Sequence, residues 1–152
     1  MRTLSILDLA AHLVGVHERP GPDADDPFIV WALSLCTGGE NQHDETPWCS
    51  AAQNALHYLM GLPRTHSLRA RSWLAIGDPI PLWSDAKRGD VVILSRGSGP
   101  QPGPMVLDAP GHVGTLYRIA PPELVWLYGG NQENAYSLKP FPQDRILGIR
   151  RF

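Results

Sequence analysis

Three side chains in this sequence have the types and settings that acyl-transfer chemistry needs. Cys49 stands at the head of the segment CSAAQNALHYLM, which reads as a helix. Free backbone N–H groups and the helix dipole favour negative charge at such a position, so a cysteine there is read as a stabilised thiolate and a good nucleophile. His112 lies between Gly111 and Gly114, at the start of a strand-like run where little bulk keeps other groups away. A neutral imidazole there could take and return a proton. Asn131 follows Gly129-Gly130 at the end of the next strand-like run, and its amide oxygen could hold the histidine in the tautomer that faces a thiol. Each residue alone has an ordinary structural reading: a buried thiol, a satisfied strand histidine, a turn asparagine. Their chain order, cysteine on a helix and then histidine and asparagine on successive strands, is one arrangement for nucleophilic attack on an amide.

The elements that must position them follow from periodicity and punctuation. Residues 5–16 and 26–35 read as helices, the second opening on Asp26-Pro27. For the nucleophile helix, Thr46 is the expected N-cap, Pro47 the first helical residue and Gly61 the C-terminal cap. Ser50, Ala51, Ala52 and Ala55 are small enough for that helix to lie close against a sheet. A short helix is expected around residues 67–76, then strands at 91–94, 112–119, 124–128 and 146–150, with a long Gly/Pro loop over 97–110. Helices first and antiparallel strands afterwards define an α+β class.

Strand register bears on the histidine's partner. If the 119–124 turn is symmetric, Ile119 faces Leu124, Leu116 faces Leu127, Gly114 faces Gly129 and His112 faces Asn131. A slip of one residue would bring up Gln132 instead, and it would set Leu116 against Tyr128, a poorer core face. The expectation is therefore Asn131, with a bulge near the turn as the feature that could shift the count.

The bulk numbers bound the class. The chain has 152 residues, 43% hydrophobic and 18% charged, with a formal net charge of −2. One domain over residues 1–152 with a real core is expected. The near-balance of charge gives no reason to expect nucleic acid as a partner. No apolar run approaches the roughly 18 residues of a membrane span, and residues 1–13 do not read as a signal peptide. Two cysteines, Cys36 and Cys49, make no disulfide framework, and no paired Cys/His spacing suggests zinc. Fifteen glycines and fifteen prolines imply many tight loops.

Several motifs together resemble a known family. They are Gly15-Val16-His17-Glu18 with Pro20-Gly21, Asp44-Glu45-Thr46-Pro47-Trp48-Cys49-Ser50-Ala51-Ala52, Ala70-Arg71-Ser72-Trp73-Leu74, Arg88-Gly89-Asp90-Val91-Val92, Gly111-His112-Val113-Gly114, Gly129-Gly130-Asn131-Gln132 and Leu147-Gly148-Ile149-Arg150-Arg151. In this order they resemble the NlpC-like and CHAP branch of papain-like cysteine peptidases, and within it small phage-associated cell-wall lytic proteins. The resemblance implies a papain-like fold with N-terminal helices packed on an antiparallel sheet. It also implies Cys49 as nucleophile, His112 as base, Asn131 as orienting residue, and the peptide part of peptidoglycan as substrate and partner. The sequence departs from the family at Gln53, where a bulky apolar residue is usual, and in its long proline-rich loop over 97–110.

No cofactor is expected. Some CHAP relatives bind calcium in the loop before the nucleophile, but the Glu40, His43, Asp44 and Glu45 loop lacks the regular acidic spacing of a calcium site, so no metal is expected either and the loop is read as solvated. Trp48, Trp73 and Gln132 are the candidate substrate contacts, with core as the other reading of the two tryptophans. Trp83 and Cys36 are expected in the core, and His57 at the surface. The expected protein is a monomer made in the cytoplasm and acting on the wall after release by a separate protein, as an endolysin does. A secreted antibacterial effector of the same chemistry, a non-catalytic phage module on the same fold and an acyltransferase are the rivals.

Overall fold

The computed structural model describes residues 3–120 and 122–152; Pro121, in the expected turn, lies outside them. Three helices come first: α1 (Ile6–Leu13), α2 (Pro27–Ser34) and α3 (Cys49–Met60). Six strands follow: β1 (Asp78–Pro79), β2 (Val91–Ser95), β3 (Gly111–Ala120), β4 (Leu124–Gly129), β5 (Ser137–Pro142) and β6 (Ile146–Arg151). They form one antiparallel sheet in the order β1-β6-β2-β3-β4-β5. Strands β2 and β3, which bracket the long loop over 97–110, are therefore central.

Local chemistry explains the helix ends. Ser5 and Asp8 form a reciprocal capping box on α1. The Asp26 carboxylate accepts from the Phe28 and Ile29 amides ahead of α2. Gly61 closes α3 at φ 67°, a left-handed cap that costs glycine little. The start of α3 differs from expectation. Helical geometry begins at Cys49, and Trp48, not Thr46, is the residue before it, with no side-chain cap. Thr46 and Pro47 belong to the incoming turn, where the Thr46 amide donates to the His43 carbonyl. The first amides of α3 are therefore left for the site.

Two strands were not expected. The two-residue β1 pairs with the end of β6. The edge strand β5 carries Pro140 and Pro142, which a period-2 reading counts against a strand. Proline is tolerated there because β5 pairs only with β4 and leaves its other edge free.

Three apolar clusters hold the molecule together. The first joins the helices to the segment after β4 through Ala10, Ile29, Leu33, Ala52, Leu56 and Tyr136. The second sits between the helix layer and the sheet and contains Cys49, Trp73, Val91, Ile93 and Val113. The third lies on the alternate residues of the strands, with Val92, Leu94, Leu116, Leu127 and Ile149. Burial of each such large side chain contributes about 1.5–3 kcal/mol. The small residues of α3, Ala51, Ala52 and Ala55, are buried as expected for a helix pressed against its neighbours.

The burial of several ring residues departs from expectation. Trp48 and Trp73 are 0% exposed, so neither offers a face to a substrate. Their indole N–H groups are satisfied inside, Trp48 by Glu18 at 3.0 Å and Trp73 by the Ser50 hydroxyl at 3.0 Å. Trp83, expected in the core, is 52% exposed. His57, expected at the surface, is buried between the rings of Trp73 and Phe152, with both centroids at 4.7 Å. Cys36 is buried just past the end of α2, as expected of a small core residue.

Candidate active site

Cys49 is the first residue of α3 and lies at one end of an open cavity of about 420 Å³. Pro47, residues 68–70, Arg96 and residues 108–111 complete its walls. The residue is 4% exposed. Burial pushes its thiol up from the ordinary cysteine range. The backbone of Val113, the charge of Arg96 and the backbone of Ser50 and of Cys49 itself pull the other way. The helix-start effect is thus present, but desolvation outweighs it, and the resting sulfur is a thiol rather than the stabilised thiolate expected.

His112 is the second residue of β3, directly opposite Leu94 of β2. It is 5% exposed and lines a second, smaller cavity of about 160 Å³ with Asn131, Gln132, Phe141 and Arg145. Burial pulls its pKa down to about 4, against the raising effect of its hydrogen bond to the Gln132 amide oxygen and with the further lowering effect of Arg96 and Arg145. The base is therefore neutral at physiological pH. The backbone of Val113, the residue after His112 on β3, meets the Cys49 sulfur, but the two side chains line different cavities and no hydrogen bond joins thiol and imidazole among the described residues.

The partner of the imidazole is Gln132, not Asn131. His112 Nε2 lies 3.0 Å from Gln132 Oε1. Gln132 Nε2 donates to the Ser137 carbonyl and hydroxyl, both at 2.9 Å. A carbonyl only accepts, so this contact fixes which end of the amide faces the histidine. Nε2 then carries the ring hydrogen, and Nδ1 is the free basic nitrogen.

Register near the histidine is as expected, with Leu116 opposite Leu127 and Thr115 opposite Tyr128. Nearer the turn a bulge at Tyr117 shifts it, so that Ile119 faces Val125. The error at Asn131 has another cause: the β3–β4 ladder ends at the Thr115–Tyr128 pair, so the expected Gly114–Gly129 pair does not form and His112 has no partner on β4. Beyond it Asn131, Glu133 and Asn134 take left-handed φ of 56°, 58° and 61°, which breaks the alternation on which the extrapolation relied. The turn closes when the Gln132 amide donates to Ala135, and residues 15–18 pair with 134–136 to hold it. Gly129 and Gly130 are needed for this approach. A Cβ at Gly129 would come within 2.5 Å of Gln132 Oε1, and one at Gly130 within 2.6 Å of the Trp48 ring. Asn131 lines the smaller cavity without bonding to the ring.

The loop before Cys49 is less solvated than expected. Asp44 is fully buried, and its Oδ2 accepts from the Arg19 and Asp26 amides, both at 2.8 Å. Asp25 accepts from the Asp44 amide and meets His43 Nδ1, both at 3.0 Å. Carboxylate oxygens of Asp25, Asp44 and Glu45 come within 4.8 Å of one another. Asp44 Oδ2 and Asp25 Oδ1 are spent on backbone amides that pin the approach to α3, whereas Asp44 Oδ1 is buried without a hydrogen-bond partner.

Sequence reasoning did not single out two arginines at the site. Arg71 is fully buried, and its guanidinium donates to the carbonyls of Pro102, Gly103, Val106 and Pro110. It thereby shapes the long loop that walls the Cys49 cavity. Arg96 lies in the walls of both cavities. No sequence signal marks Arg71 as buried, because its partners are carbonyls of a loop more than thirty residues away.

The two buried histidines give the protein an acid-sensitive stability. His57 is also pulled down to about 4 by burial, against the effect of its hydrogen bond to the Pro63 carbonyl. The folded chain keeps both rings neutral, whereas the unfolded chain protonates them near 6.5. Between pH 6.5 and 4 the unfolded state binds more protons, so stability falls as pH falls, and the loss levels off below about 4. The expected loss from pH 7 to pH 5 is roughly 2 kcal/mol per histidine. Urea midpoints at the two pH values check this, and His57→Gln should shrink the difference by about half.

No protein-family model matches the chain, and no curated protein does. Among solved structures the chain is similar to NlpC2 from Trichomonas vaginalis, with a TM-score of 0.52 and 15% identity, over 97% of this chain and 44% of that one. It spans less than half of that structure's length. At this identity the likeness bears on the fold, which is NlpC-like and of the α+β class.

Proposed function

We propose that the protein is a papain-like cysteine amidohydrolase that cuts amide bonds in the peptide part of bacterial peptidoglycan. The observation that carries this reading is the oriented imidazole: a neutral, buried His112 whose Nε2–H is held by Gln132, leaving Nδ1 basic, on the strand whose next residue meets the Cys49 sulfur. The NlpC-like fold and the motif resemblance add the reaction class and the substrate class.

In this reading His112 Nδ1 takes the Cys49 proton as the sulfur attacks the amide carbonyl. The first amides of α3, that of Cys49 included, hold the oxyanion. The imidazolium gives its proton to the leaving amine, and a thioester remains. Water then attacks with His112 again as base, releasing the carboxylic acid and the thiol. The raised thiol pKa makes proton transfer part of the reaction rather than a standing ion pair. An endolysin role in phage or prophage lysis is part of the same proposal.

The test is digestion of purified sacculi followed by mass spectrometry of the soluble fragments. New amine and carboxyl ends, in equal number and dependent on Cys49, are the expected result. Intact sacculi, or cleavage that persists without Cys49, would refute the proposal.

A further inference from the structure

Trp83 stands half exposed on a single 3-10 turn, Trp83–Asp85, and two cavities flank it. One, of about 470 Å³, has Trp83, Ser84, Arg88 and the β3 residues Leu116, Arg118 and Ile119 in its walls. The other, of about 350 Å³, carries Glu123 and Asp144. Among the described residues the first is lined by two arginines and no acidic side chain, and the second by two acids and no cation. Asp85, beside Ser84 in the chain, is not part of the first wall.

The two arginines are held in place without being used up. Arg88 lies over the Tyr117 ring at 4.7 Å and Arg118 over the Trp126 ring at 5.5 Å. The turn that carries Arg88 is tied to β3, because the Gly89 amide donates to the Leu116 carbonyl at 2.9 Å and the Leu116 amide to the Asp90 carbonyl at 2.8 Å. Asp90 itself pairs with Arg151 and so does not serve Arg88. A ring against the face of a guanidinium leaves its in-plane N–H groups available. Both side chains are exposed, and among the described residues neither has a hydrogen bond or an ion pair. Two oriented sets of donors therefore open on one cavity with nothing negative to meet them.

We infer that this cavity is a second binding site, for a phosphate ester of a sugar or polyol. Arg88 and Arg118 donate to the phosphate oxygens, which are numerous enough to accept from both, and the Ser84 hydroxyl adds a donor. The carbon body rests on Leu116, Ile119 and the open face of Trp83. An indole beside a wet cavity suits a body that is apolar on its faces and hydroxylated at its edges. Glu123 and Asp144 repel an anion from the other side of the ring, so charge selects the arginine side. Arg118 lies six residues along β3 from His112, roughly 20 Å at strand spacing. The site is thus separate from the cysteine and histidine cavities, and the inference does not depend on the amidohydrolase reading.

Calorimetric titration of the full chain tests it without any turnover. The probes are glucose 1-phosphate, glucose and inorganic phosphate. Glucose 1-phosphate is expected to bind roughly 10-fold or more tightly than glucose, because only it engages the guanidiniums. Arg88→Gln and Arg118→Gln should each weaken it roughly 10-fold, and the lysine variants should weaken it less, since they keep the charge and lose the fork. Trp83→Ala should bring glucose 1-phosphate close to inorganic phosphate while leaving the latter unchanged. Arg96→Gln, in the cavities of Cys49 and His112, should change nothing. Poly(glycerol phosphate) separates the two sources of such a group: tighter binding per phosphate than glycerol 3-phosphate supports the site with a polymer as its ligand, and equal binding supports it with a small phosphate ester. All the substituted side chains are exposed, so thermal midpoints near that of the unmodified protein are expected to accompany these losses. Equal binding of glucose and glucose 1-phosphate, or phosphate-ester binding that survives the double Arg88→Gln, Arg118→Gln change or is lost with Arg96→Gln, would overturn the inference.

Discussion

Replacing Cys49 by alanine is expected to abolish amide hydrolysis and leave the fold intact. The sulfur lies in the cluster of Ala70, Trp73, Val91, Ile93 and Val113, at the edge of an open cavity. Its loss removes one buried atom beside existing free space, which costs about 1 kcal/mol. The rate should fall roughly 10³-fold or more, because no neighbouring group offers a comparable nucleophile. Cys36→Ala is the control. That thiol sits in the helical cluster away from both cavities, and burial pushes its pKa up to about 11. Its removal should leave turnover within about twofold and lower stability slightly. Thiol labelling of the folded protein should mark Cys49 before Cys36, since only Cys49 lines an open cavity. Hydrolysis by the Cys49→Ala protein at the normal rate would sink the mechanism.

Removing the amide that holds the imidazole should be the next most damaging change. Gln132→Ala is expected to lower kcat roughly 10- to 10³-fold, because Nε2 loses its acceptor and the ring its preferred tautomer. Asn131→Ala should change kcat by less than about threefold, with a stability cost of about 1 kcal/mol from placing alanine at φ 56°. The pH profile separates positioning from mere structural support. Gln132→Glu places a negative charge against Nε2 and favours the imidazolium, so the acid limb of kcat/KM should move upward from its starting point near pH 4. An acid limb unmoved by Gln132→Glu, or an Asn131 variant more damaged than the Gln132 variant, would return the orienting role to Asn131.

Much of the scaffold was legible because its signals are local. Asp26-Pro27 starts a helix and Gly61 ends one through contacts within a few residues. Val91–Ser95 is buried along its whole length, as an apolar run after Gly89-Asp90 implied. Leu116 meets Leu127 because side-chain alternation, read from both strands, leaves one good register. The cysteine at a helix start and the histidine between small residues at a strand start were likewise readable, since both depend on short segments.

What the sequence left open depended on where distant segments meet. Asn131 and Gln132 are adjacent, and only the end of the β3–β4 ladder at Tyr128 and the left-handed turn after it bring the second to the imidazole. Trp48, Trp73 and His57 are buried because α3 and the segment over 70–75 close onto the sheet and chain end, whereas Trp83 is left outside. The proline-bearing β5 became a strand because it fell at an edge. In the sequence Asp44 and Arg96 read as charged loop residues and Arg71 as a charged residue of the short helix over 67–76, with nothing local to mark their partners. The fold gave Asp44 to backbone amides, Arg71 to loop carbonyls and Arg96 to nothing in the described chain. Periodicity and capping act over a few residues and are written in the chain. Burial, hydrogen-bond partners and the balance of desolvation against charge arise only when residues tens of positions apart share one volume, and that was decided by the tertiary structure.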